Sequence, residues 1–187
     1  MAKTDNLGDF LKDVADSIRT KTGTTELINA QDFSDKILSI QTGGGGNTLK
    51  NLLDATKSCY YLFYNYKGIS VDDLIQPNDT ENVTNMYGMF YNCNKLTTIP
   101  QLNTSKVDNM NNIFASCSSL KSILMTNIGV SLDISASTLF ERTDLVTILN
   151  NLKTVTTTKT LKMGATNLAK LTDEDKLIAT NKGWTLA

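Results

Sequence analysis

Two stretches of the chain, VTNMYGMFYNCNKLTTI (Val83 to Ile99) and VDNMNNIFASCSSLKSI (Val107 to Ile123), carry Val, Asn, Met, Phe, Cys, Leu and Ile at matching offsets. Looser copies flank them, Leu62-Phe-Tyr-Asn65 before and Leu139-Phe-Glu-Arg142 after. Phenylalanine therefore recurs as Phe63, Phe90, Phe114 and Phe140, at spacings of 27, 24 and 26 residues. A period of that size marks an α/β solenoid, in which one supersecondary unit cannot bury its apolar face alone and stacks on its neighbours.

The unit itself is legible. Val83, Met86, Met89 and Phe90 fall at i, i+3, i+6 and i+7, which predicts a short helix or helical turn with one buried side. Asn92-Cys93-Asn94 turns the chain, and Leu96 to Ile99 is a short β-branched strand expected to stack in parallel on Leu120 to Ile123. Pro100 ends that strand. The expected repeat core is Phe63, Phe90, Cys93, Leu96, Ile99, Phe114, Cys117, Leu120, Ile123 and Phe140. Beyond it a cap is expected. It comprises a helix over Leu145 to Leu152, a strand over Thr154 to Met163, and a helix opened by Thr172-Asp-Glu-Asp175 and closed by Lys182-Gly183. Trp184 then covers the open end of the solenoid.

Ahead of the repeats, TGGGGN (Thr42 to Asn47) is a stretch that holds no regular element. It divides the chain into residues 1–41, a linker at 42–47, and the repeat domain with its cap at 48–187. In the first part Leu7, Phe10, Leu11, Val14, Ala15 and Ile18 form a one-sided helical stripe, and Phe33, Ile37, Leu38 and Ile40 form a second pattern. Two amphipathic helices of this size bury too little to be secure alone. They either pack as a hairpin on the rest of the chain or dock on a partner, and the hinge favours docking. Leu7, Phe10, Leu11, Val14, Ile18, Phe33 and Ile37 are thus the candidate attachment and oligomerisation residues.

Composition narrows the chemistry. The chain has 187 residues and no histidine. That removes Ser-His and Cys-His nucleophile activation and every His-containing metal site. Cys59, Cys93 and Cys117 include no C-x-x-C pair, and they are too few for a four-thiolate zinc site. An odd count with no secretory signal in MAKTDNLGDFLKDV points to reduced thiols and folding in the cytoplasm. With 18 basic and 19 acidic side chains there is no footprint for nucleic acid, and no apolar run long enough to span a membrane. No cofactor or metal and no catalytic residue is expected, so the reading is a non-enzymatic one; a glycan-active enzyme is disfavoured for want of paired carboxylates.

The remaining candidates have ordinary explanations. Cys93 and Cys117 are expected as buried small side chains stacked at equivalent corners rather than a reactive pair. Thr172 to Asp175 is expected to cap a helix, and Glu141/Asp144 to be a solvated face. The glycosylation-type triplets at Asn82 and Asn103 are coincidences in a chain rich in Asn and Thr. Tyr60, Tyr61, Phe63, Tyr64 and Tyr66 are the densest aromatic cluster. They either cap the first coil with some rings half exposed, or form a patch on which carbohydrate stacks.

The pattern V-x-x-M-x-x-M/I followed by F-x-x-C-x-x-L-x-x-I resembles the BspA-type leucine-rich repeats of bacterial surface proteins and phage structural proteins. It is carried by Phe90, Cys93, Leu96, Ile99 and by Phe114, Cys117, Leu120, Ile123, with Tyr66 and Thr143 in place of the cysteine in the outer copies. The stretch DVADSIRTKTGTTELINAQDFSDKI resembles a segment at the start of phage virion proteins, head-fibre and tail-fibre subunits among them. Met163 to Leu171 and NKGWTLA are similar to the closing piece of that architecture. The resemblance implies a virion structural protein made in the host cytoplasm: a head-fibre, capsid-decoration or tail-fibre subunit. It implies a homotrimer joined to other virion proteins through the N-terminal module, with repeats that bind a host-surface glycan or protein. The alternative is a bacterial surface adhesin or interaction protein with the same repeats.

Overall fold

Turns, not helices, carry the repeats. In the computed structural model, which describes residues 48–187, the N–H groups of Met89, Tyr91 and Cys93 close tight turns on the carbonyls of Met86, Gly88 and Phe90, at 3.2, 2.9 and 3.1 Å. The intervening N–H groups of Met86, Gly88, Phe90 and Asn92 leave the repeat. They donate to Asn109, Asn111, Ile113 and Ala115 of the next one, at 2.8 to 3.0 Å. Beyond its first turn an α-helix bonds each N–H to the carbonyl four residues back, so this alternation excludes one; of the short helix or helical turn expected over Val83 to Phe90, the helix does not form.

Local chemistry explains the correction. Gly88, Asn92, Asn112 and Ser116 have φ near +60°, as do Tyr61 and Asn65 in the first repeat. A positive φ at the third position is what a type II turn requires. The side chains of Ser58, Asn85 and Asn109, one per repeat, accept the N–H two residues on (Tyr60, Tyr87 and Asn111) at 2.9 to 3.1 Å. Each captures a donor that would otherwise start a helix. The apolar spacing is satisfied all the same: Val83, Met86, Met89 and Phe90 are fully buried.

The repeats lie in parallel register. Strand β1 (Thr98–Ile99) pairs with β2 (Ser122–Ile123), shorter than the four-residue strands expected but in the expected partnership. Single parallel bridges join Ser58 to Asn85, Asn85 to Asn109, and Asn103 to Thr126. Inside, the rings of Phe63, Phe90 and Phe114 stack at 5.5 and 5.9 Å with interplanar angles of 9° and 15°. Cys93 lies beside Cys117 in the core, and Leu96, Leu120, Ile99 and Ile123 are buried with them.

Helix α1 (Thr48–Thr56) places Leu49 and Leu53 on this core. Lys50 bonds Asp54 at 2.8 Å and Glu81 at 2.7 Å, and Asn82 bonds Asp54 at 2.9 Å, fixing α1 to the approach of the second repeat. At the other end β3 (Leu132–Asp133), β4 (Lys159–Lys162) and β5 (Trp184–Leu186) form a parallel sheet in that order, with α2 (Arg142–Asn151), α3 (Ala165–Leu168) and α4 (Asp173–Thr180) between strands. The strand expected over Thr154 to Met163 is confined to β4, because Val155 donates to Lys182 at 2.9 Å and the chain bends at Thr156 and Thr157. Phe140 is buried as expected, but α2 begins two residues later, so the fourth copy departs from the turn pattern. Trp184 is buried in the last strand and its Nε1 donates to the Lys153 carbonyl at 2.8 Å. One apolar cluster runs from Leu49 to Trp184 in a mixed α/β structure with small sheets and no closed barrel.

Candidate functional site

Aligned on their phenylalanines, the first two repeats place Tyr60 opposite Tyr87 and Tyr64 opposite Tyr91. Each pair stacks, at 5.3 Å and 21° for the first and 5.6 Å and 29° for the second. Tyr61 stands between the two columns and meets all four rings edge-on, at 4.9 to 5.9 Å. The position equivalent to Tyr61 is Gly88. A Cβ there would lie 2.5 Å from the Tyr61 ring, so the glycine makes the space that Tyr61 fills. Tyr64 is 44% exposed and the other four rings are half-buried.

Polar groups border the rings. Asn112 Nδ2 donates to the Tyr87 hydroxyl at 3.0 Å, and Asn92 Nδ2 donates to Asn65 Oδ1 at 2.9 Å. Lys67 Nζ donates to the same Asn65 oxygen at 2.5 Å. Burial, followed by the hydrogen bond to Tyr87 and the neighbouring phenols, pushes the Tyr61 hydroxyl up to about 12, so it stays protonated at neutral pH.

The aromatic cluster read from sequence is thus split and extended. Phe63 belongs to the core and Tyr66 turns away, its hydroxyl donating to the Ser70 carbonyl at 3.0 Å. Tyr87 and Tyr91 join from the second repeat. Scanning along the chain missed them, because their partners are 27 residues distant. Registering the repeats on Phe63 and Phe90 is the signal that finds them.

The thiols do not make a reactive site. Cys93 Sγ donates to the Phe63 carbonyl and Cys117 Sγ to the Phe90 carbonyl, both at 2.9 Å. The contact with Cys117 and then burial push the Cys93 thiol up; burial and the nearby Asp79 do the same to Cys59. Raised, buried thiols such as Cys59 and Cys93 are poor nucleophiles and poor metal ligands at neutral pH. Cys117 is held lower by the hydrogen bond from Cys93, but it is buried in the core beside it.

Carboxylates near the cap are structural. Thr172 Oγ1 accepts from the Asp175 N–H at 3.2 Å while Asp175 accepts from the Thr172 N–H at 2.8 Å, the reciprocal cap expected for α4. Arg142 reaches the same carboxylate through Nε at 2.7 Å and a terminal nitrogen at 2.8 Å. The guanidinium, ahead of the Thr172 N–H, holds Asp175 below the usual carboxylate range. Glu141 and Asp144, expected as a merely solvated face, instead sit at the start of α2, where Asp144 accepts from the Glu141 N–H at 3.2 Å. Asn82 donates to Asp54 and accepts from Lys106, and the Asn103 side-chain oxygen accepts from the Ser105 N–H and from Asn127. Among the described residues no group of three or more Cys, Asp or Glu is placed to hold a metal ion, and no helix is long and apolar enough to cross a membrane. The candidate attachment residues, Leu7, Phe10, Leu11, Val14, Ile18, Phe33 and Ile37, and the glycine joint lie outside the described residues.

Fold and site together give a mixed α/β protein whose sequence repeats pair in parallel and whose first two repeats carry the tyrosine cluster. The chain belongs to the family described as "Mycoplasma protein of unknown function, DUF285", whose model matches residues 57–173, more than half of the 187. That span begins just after α1 and ends as α4 begins. No curated protein and no solved structure matches the chain.

Proposed function

We propose that the protein is a non-enzymatic structural component of a phage virion, a head-fibre, capsid-decoration or tail-fibre subunit. Residues 1–41 anchor it to other virion proteins, as a homotrimer, and residues 48–187 form a short leucine-rich-repeat solenoid that faces the host surface. The observation that carries this reading is how the repeats are joined. Backbone N–H groups cross from each unit to the next between Cys59 and Ala115, so outward side chains are free to form a display surface. The virion-like N-terminal stretch, set apart by TGGGGN, supplies the anchor.

The test is co-sedimentation with particles. The chain carrying Leu11→Asp and Val14→Asp should remain folded, lose its trimeric state by light scattering and stop pelleting with virions, since each change puts a charge in the apolar stripe. A doubly substituted chain that still trimerises and still pellets overturns the assignment of the anchor. Immunogold label on the bacterial envelope instead of on particles would replace the virion reading with the surface adhesin.

A further inference from the structure

We infer that Tyr60, Tyr61, Tyr64, Tyr87 and Tyr91 form a binding platform for a neutral carbohydrate chain, the host-surface ligand class that the proposed display role leaves open. This inference rests on that role for its biological meaning, although its chemistry stands on the rings themselves.

Three observations lead to it. The rings are held in place before any ligand arrives. Tyr60 and Tyr64 stack on their equivalents, and Tyr61 is wedged into the space over Gly88. A tyrosine so fixed loses little side-chain freedom on binding and offers a large amphipathic surface.

Both columns also stop after the second repeat. The equivalents of Tyr87 and Tyr91 are Asn111 and Ala115, so no third ring covers the far face of Tyr91 and an amide follows Tyr87. The backbone nonetheless continues in register, with Gly88 and Asn92 donating to Asn111 and Ala115. The columns thus end at the second repeat, with Asn111 beyond Tyr87 and Ala115 beyond Tyr91. The apolar C–H face of a pyranose, with its slight positive polarisation, complements the negative face of such a ring.

Finally, the groups around the rings suit hydroxyls rather than charges. Phenols and the amides of Asn65, Asn92 and Asn112 both donate and accept, as vicinal sugar hydroxyls require. Among the described residues the rings touch one another, Asn112 bonds the Tyr87 hydroxyl, and Asn65 and Asn92, which follow Tyr64 and Tyr91 in sequence, bond each other, with no carboxylate or guanidinium in these contacts. Lys67, the cation beside it, is engaged by Asn65. An acidic ligand would find little to pair with.

The full-length protein should be screened on a printed array of neutral bacterial glycans and titrated with maltohexaose, N-acetylated chitohexaose and any array hit, following the tyrosine ring resonances by NMR, with heparin as the polyanionic comparison. At least one neutral glycan should shift the rings of Tyr64 and Tyr91. Tyr64→Ala with Tyr91→Ala should weaken that binding at least about tenfold. Tyr64→Phe with Tyr91→Phe keeps the stack and so guards against a folding artefact; it should weaken binding less. Leu177→Ala, at an exposed site in α4, should leave it unchanged. Silence across the neutral glycans, binding to heparin alone, or undiminished binding by the folded alanine variant each overturns the inference. Particle co-sedimentation separates this from the anchoring proposal: the alanine variant should pellet with virions whether or not the glycan binds, so failure of the parent to pellet counts against the anchor and failure to bind glycan counts against the platform.

Discussion

At the scale of single residues, the buried phenylalanine column does the most work. Phe90 has a ring above and below it, so Phe90→Ala removes a layer from two repeats at once. The expected loss is about 3–5 kcal/mol for Phe90→Ala, and similar for Phe114→Ala. Chemical denaturation reads this directly, and a loss under about 1 kcal/mol would mean that the stack contributes nothing beyond surface burial. Gly88→Ala should cost about 2 kcal/mol, because the added Cβ faces a left-handed φ and displaces the Tyr61 ring. That variant should also shift the Tyr61 resonances, whereas Gly129→Ala, at a glycine without positive φ, should leave them alone. Cys93→Ala with Cys117→Ala removes two small buried groups that reach backbone carbonyls and each other. Stability should fall modestly, and any ligand binding should persist in the folded double variant.

Among elements, the joint between α2 and α4 is the clearest case of charge holding structure. Arg142, at the first position of α2, makes a two-pronged contact with Asp175 in the first turn of α4, and the Asp175 side chain is only 7% exposed. Its carboxyl is held below its unfolded value, so its contribution is complete above that value and fades as pH falls through the lower, folded one. Asp175→Asn should therefore lower the thermal midpoint at neutral pH. Its deficit against the parent should shrink as pH drops below about 4, the ordinary range for an aspartate. A deficit that stays constant into strong acid would show that the carboxylate charge is irrelevant to the joint.

The same scale shows what a sequence can and cannot disclose. Helices α2 and α4 were legible, since Leu145, Ile148 and Leu149 share a helical face and Thr172 to Asp175 is a recognisable cap. The parallel pairing of β1 with β2 followed from the repeat alone. The turns between Met86 and Cys93 were not legible as turns, because apolar spacing reports which side chains go inward and not where the N–H groups go. A helix and a string of turns bury the same four residues here. Asn85 and Asn92 carried the missing information, one by capturing an N–H and the other by tolerating a positive φ. The tyrosine platform was half visible. Tyr60, Tyr61 and Tyr64 are neighbours in sequence, while Tyr87 and Tyr91 meet them only once the units are laid side by side.

For the whole molecule, the ladder between units makes no use of side-chain identity, and this has a consequence for length. Phe63 to Phe90 spans 27 residues and Phe90 to Phe114 spans 24, yet both steps are bridged by the same pattern of crossing N–H groups. The additional residues are absorbed outside the turns, where the 3₁₀ helix Pro77–Thr80 lies on the way to the second repeat. A chain in which residues 83–106 are duplicated should accordingly fold, with a thermal midpoint at or above that of the parent and a longer axis by small-angle scattering. Its aggregation would show that the units depend on their particular neighbours. Because a copied unit brings its own donors, acceptors and ring, an in-frame duplication of one unit in the gene yields a workable protein instead of a broken one. The reach of such a protein is therefore a trait that a lineage can lengthen or shorten in single steps, without first discovering new residues to hold each increment in place.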